Sequence, residues 1–121
     1  VSVTYMVYPG YDMQPEQWDG VLEELDRIKR FQQYDLLRLC ANTGCCFGGE
    51  EYEELRQITS NWLQGNDPLA VQVDHEEKSI RLMVSGSGPA RVAKEIHRKT
   101  IALLLLQWAV ENRVNLCVKA V

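Results

Sequence analysis

The chain has 121 residues, 45% of them apolar and 25% charged. That is the size and balance of one globular domain with a single core, which excludes disordered, collagen-like and low-complexity classes. The net charge of −4 is unevenly divided: residues 1–70 carry −7 and residues 71–121 carry +3. Phosphate-backbone affinity needs clustered positive charge, so the acidic first part argues against general nucleic-acid binding.

The chain opens on an alternating run, Val1 to Tyr8, rich in β-branched and aromatic residues, which predicts a first strand ended by Pro9-Gly10. Val3, Tyr5 and Val7 share one face with Val1, and Ser2, Thr4, Met6 and Tyr8 share the other. Pro15 suits a first helical turn, with Glu16 and Asp19 near the positive end of the helix dipole. Trp18, Leu22, Leu25 and Ile28 follow at helical spacing, and the pattern runs on to Cys40 with a phase shift. This predicts one long helix, or two with a break near Gln33, capped around Asn42-Thr43-Gly44. Glu50 to Leu63 predicts a further helix, closed by Gly65-Asn66-Asp67-Pro68.

Leu69 to Asp74 and Ser79 to Val84 both alternate around polar His75 to Lys78, which predicts a hairpin. Leu69, Val71, Val73, Ile80, Leu82 and Val84 are its expected inward positions. Pro89 to Asn112 predicts a long helix, with Val92, Ile96, Thr100, Leu103 and Val110 as its inward stripe. Its run Ile101 to Leu106, even extended to Val110, falls well short of the roughly 20 residues that span a bilayer. The four leucines cover more than half the helix circumference, so some of them are expected to pack on the helices of the first crossover. Val114 to Val121 alternates as a last strand.

The order strand, helices, strand, strand, helix, strand is the split β-α-β order of a ferredoxin-like sandwich. Right-handed crossovers then place the helices on one face of a four-stranded antiparallel sheet, with an extra helix in the first crossover. The expectation is one α+β domain over residues 1–121. It begins and ends inside strand patterns, as a domain cut from a longer protein would, and no signal peptide is visible.

Five features are candidates for chemistry. Ser85-Gly86-Ser87-Gly88 runs into a helix bearing Arg91, Lys94 and Arg98 at i, i+3 and i+7. Glycines let backbone N–H groups approach an anion, and a helix N-terminus adds positive potential. The segment lacks the Lys-Ser/Thr pair of a P-loop and the third glycine of a dinucleotide fingerprint. The plain alternative is a turn before a helix with a solvated basic stripe. Cys40, Cys45 and Cys46 have no second pair at zinc spacing, so reduced thiols and no metal or cofactor are expected.

No nucleophile has an evident base: His97 is expected on the polar side of its helix and His75 in the hairpin loop. No catalytic residue is therefore assigned. The uncovered sheet face is expected to carry Thr4, Met6, Gln72, Arg81, Met83, Cys117 and Lys119. It lacks the aromatics of an RNA-binding sheet, and its two methionines suit a protein partner, since Met adapts to a partner's shape. The last feature is the leucine run itself. These observations lead to a non-enzymatic interaction or regulatory domain of an intracellular, cytoplasmic protein. It would bind another protein or itself as a homo-oligomer, with no membrane span. The competing expectation is a small-anion or nucleotide-binding domain using residues 85–94.

Overall fold

A computed structural model describes residues 2–43 and 46–121. The chain runs β1 (Val3–Pro9), α1 (Pro15–Lys29), α2 (Gln33–Ala41), α3 (Gly49–Leu63), β2 (Val71–Asp74), β3 (Ser79–Val84), α4 (Gly88–Glu111) and β4 (Leu116–Ala120). Among the described residues this is an α+β arrangement of four helices and one antiparallel sheet of order β2-β3-β1-β4. The first crossover holds three helices. The apolar phase shift after Ile28 marks a real break, between Lys29 and Gln33.

Local chemistry explains the boundaries. Pro15 presets φ for the first turn of α1, and the Gln17 side chain accepts the Gln14 N–H at 2.8 Å. Lys29 Nζ donates to the Trp62 carbonyl at 2.6 Å, which places a cation at the C-terminal end of α3, where the helix dipole favours it. Asp74 closes the β2–β3 hairpin: its Oδ1 accepts the N–H groups of Glu76 and Glu77 at 3.1 and 2.9 Å.

Strand alternation sorts the side chains between two environments. Val7, Ile80, Leu82 and Leu116 point to one side, with Tyr5, Val71, Val73 and Val118 beside them. There they meet Trp18, Val21, Leu25 and Ile28 of α1, Leu36 of α2, Trp62 of α3, and Ile101, Leu105 and Ala109 of α4. The helices thus lie toward one face of the sheet: α4 packs on β1, β3 and β4, and α1, α2 and α3 stack against α4 around the shared core. A second cluster joins Leu37 and Cys40, Leu55 and Ile58, and Ala93 and Ile96, tying α2 and α3 to the first half of α4. Full burial of each larger side chain contributes about 1.5–3 kcal/mol. Gly20 lets α1 approach α4 closely, since a Cβ there would lie 2.8 Å from the Trp108 ring.

Two inward assignments are corrected. Leu69 is 64% exposed. It sits in the turn before β2, and Ala70 takes the buried place, its carbonyl accepting the Met83 N–H at 3.2 Å. In α4, Ile96 and Thr100 are buried, but Val92, Leu103 and Val110 are exposed. The buried arc instead runs through Ala93, His97, Arg98, Ile101, Leu105 and Ala109. Two polar residues and small alanines disguise that arc from a hydrophobic-periodicity reading. Among the described residues no helix is long and apolar enough to cross a membrane.

Candidate functional site

The sheet surface away from the helices is the most extended candidate. Strand register places Gln72, Arg81, Met6 and Lys119 in one row across all four strands. Met6 therefore lies between two cations. Thr4 pairs with Met83 along one flank, and Tyr8 pairs with Cys117 along the other. All seven residues expected on this face share it. Neither core cluster includes any of them.

Tyr8 and Asp74 also belong to this face and were left out of the expected partner surface. Lys119 Nζ stands 5.1 Å from the Tyr8 ring centroid, a cation–π distance. Asp74 lines an open cleft of about 420 Å³ with Gln72, His75, Glu76 and Arg81. The alternation that selected Met6 also selects Tyr8, so the signal for it was in the strand pattern. The role of Asp74 depends on the hairpin geometry, which alternation does not specify. Chemically the face offers apolar sulfur between two basic side chains, with an aromatic ring beside one of them.

The glycine turn is the second candidate. Gly86 and Gly88 adopt φ of +90° and +65°, which side-chain-bearing residues rarely take. Ser87 precedes the helix with extended φ and ψ, and its side chain makes no capping bond. Of the residues expected to hold an anion, Ser85, Lys94 and Arg98 line a common pocket of about 220 Å³. Gly86, Ser87, Gly88 and Arg91 do not line it, and Arg91 reaches the Gly86 carbonyl only at 3.5 Å. Asp67 brings a carboxylate into the same pocket.

Arg98 differs from a solvated member of a basic stripe, being 2% exposed. Its Nε donates to the Met83 carbonyl at 2.9 Å, one Nη stands 2.8 Å from His97 Nδ1, and the other lies 3.9 Å from Asp67. Beyond the end of β2, this guanidinium satisfies a carbonyl of β3. Burial lowers its pKa, and the Asp67 charge opposes that shift.

His97 is fully buried, contrary to its expected place on a polar helix face. A guanidinium can only donate, so Nδ1 must be the acceptor and Nε2 carries the proton. Nε2 has no hydrogen-bond partner among the described residues, and the ring meets Trp62 edge-on with centroids 5.3 Å apart. Burial, reinforced by the Arg98 and Lys29 charges, pushes the pKa down to about 3. A neutral imidazole closed off from solvent positions α4 against α3 and cannot exchange protons with a substrate.

Cys40 is buried, and burial pushes its thiol up to about 11, whereas Cys46 is exposed. Cys45 lies outside the described residues. Among the described residues no three His, Cys, Asp or Glu side chains group as a metal site. Compared with family models, curated proteins and solved structures, the chain matches none.

Proposed function

We propose that this chain is a non-enzymatic protein-interaction or regulatory domain of a larger intracellular protein, and that it works through the open face of its sheet. The fold is read as a ferredoxin-like sandwich, supported by the strand order with β1 and β3 central and by the helices gathered on one side. That fold hosts many activities, so the function rests on the surface itself. The observation that carries it is the row Gln72–Arg81–Met6–Lys119, with Met83 and Tyr8 at its flanks. A methionine set between an arginine and a lysine matches a partner segment that carries apolar side chains and carboxylates. Association through charge of this kind weakens with salt.

The test compares capture of partners from cell extract by the chain and by its Met83→Glu and Arg81→Glu variants. Loss of the same proteins in both variants, at unchanged melting temperature, is the expected result. Identical recovery by all three overturns the reading.

The pocket shared by Ser85, Lys94 and Arg98 favours a second reading, binding of a small phosphate-bearing anion. Inorganic phosphate or nucleotides should then raise the melting temperature of the chain and not that of Lys94→Glu. No shift with any of them removes this reading.

A further inference from the structure

The pocket between the turn before β2 and the first half of α4 has walls of three kinds. Lys94 and Arg98 bring positive charge, Asp67 brings a carboxylate, and Leu69, Ala70 and Met83 bring apolar surface. Each charged group has bonding capacity to spare. The Arg98 side chain is buried and held in place, its Nε on the Met83 carbonyl and one Nη on His97. Its other Nη lies 3.9 Å from Asp67 Oδ2, too far for a hydrogen bond. That nitrogen makes no hydrogen bond among the described residues. A buried guanidinium rarely leaves donors unused, so they point to a missing acceptor. Lys94 makes no hydrogen bond or ion pair among the described residues either. Its Nζ lies over Gly86, 3.8 Å from where a Cβ would stand.

We propose that this pocket binds a free α-amino acid with a small aliphatic side chain. Its carboxylate meets Lys94 and the open Nη of Arg98, its ammonium meets Asp67, and its side chain lies against Leu69, Ala70 and Met83. The inference rests on the second reading above in taking the pocket for an anion site, and differs in the anion.

Charge, spacing and size select this class. Two cations and one carboxylate leave a single net positive charge. A phosphate dianion exceeds that and faces Asp67 as a like charge, whereas a zwitterion finds a partner for each end. An α-amino acid carries ammonium and carboxylate on one carbon, which suits an acceptor and a donor 3.9 Å apart. Ser85 adds a hydroxyl that can donate to the same carboxylate. At about 30 Å³ per water-sized group, a volume of about 220 Å³ holds roughly seven of them. Valine or leucine is of that order, and a nucleotide is far larger. Leu69 is 64% exposed, so the pocket is open on that side and the affinity is modest, on the order of millimolar. Met83 lines the pocket and also flanks the open sheet face, so an occupant borders the proposed partner surface.

Amide chemical shifts of the isotope-labelled chain read binding at this strength. L-Leucine should move the Ala70, Met83 and Ser85 signals and saturate. Isocaproate, which lacks the ammonium, and isoamylamine, which lacks the carboxylate, should each bind at least tenfold more weakly. Lys94→Gln should weaken leucine at least tenfold with the amide spectrum otherwise unchanged. Asp67→Asn should abolish the preference for leucine over isocaproate while isocaproate still binds, a result that general loss of packing would not give. Isocaproate bound as tightly as leucine by the wild-type chain, or a preference for leucine that survives Asp67→Asn, would overturn the proposal and leave the anion reading standing. Inorganic phosphate moving these signals where leucine does not would have the same effect. No response to leucine, isocaproate or phosphate would remove both.

Discussion

His97→Gln should flatten the acid side of the stability profile. The folded chain holds this imidazole neutral down to a pKa of about 3, because protonation would bury a charge beside Arg98 and Lys29. In the unfolded chain the same group titrates near 6.5. As pH falls below that value the unfolded state takes up a proton that the folded state refuses, so stability is lost as pH falls. The full slope is about 1.4 kcal/mol per pH unit, which amounts to about 2 kcal/mol between pH 8 and pH 5.

Carboxylates act in a different window. Glu95 is held below the usual range by the Tyr5 hydroxyl, so its contribution is present above its unfolded pKa and is lost as pH falls through the folded one. That loss falls mainly below pH 5. Gln keeps an acceptor for Arg98 and does not titrate. Urea unfolding followed by tryptophan fluorescence at pH 8 and pH 5 gives both differences, with Trp62 packed directly on the imidazole as reporter. The wild-type chain should lose about 2 kcal/mol more than the variant. Equal losses would refute the argument, since they would mean that the buried ring accepts a proton at no cost.

Gly20→Ala should destabilise the fold by about 1 kcal/mol: the helix-propensity gain of alanine is smaller than the overpacking against the Trp108 ring. In a Trp108→Leu background the same change should be neutral or stabilising, and thermal unfolding of the four proteins measures the coupling. Cys40 should react with a thiol reagent only as fast as the chain unfolds, while the exposed Cys46 reacts at once. Mass-spectrometric labelling at pH 7 distinguishes the two sites, and rapid modification of Cys40 would show that α2 opens without global unfolding.

The elements were legible in the sequence because strand and helix periods leave different marks. Alternation alone located β1, β3 and β4, and placed Thr4, Met6, Arg81, Met83 and Lys119 on a common side. What was not legible was the orientation of α4. This helix has two apolar stripes, and the more regular one, through Leu103 and Val110, faces out. The buried stripe contains His97 and Arg98, which become acceptable inside only when Met83, Asp67 and Trp62 are brought to them by the fold. Those partners are distant in sequence, so no local pattern announces them. Leu69 failed for a related reason: the turn after Pro68 shifts the strand start by two residues and passes the buried place to Ala70. Of the anion candidates, Ser85, Lys94 and Arg98 converge on one pocket and the rest of that segment does not.

The central position of β1 has a consequence for synthesis. Both of its neighbours, β3 and β4, come from beyond residue 78, and Met6 faces Arg81 on one side and Lys119 on the other. β1 thus leaves the ribosome well before either of its hydrogen-bonding neighbours. At about 5–20 residues per second, the roughly 75 residues separating β1 from β3 keep both of its edges open for several seconds. During that interval the helices of the first crossover have no sheet to cover, and a chaperone that recognises extended apolar segments would find its target at Val3–Tyr8.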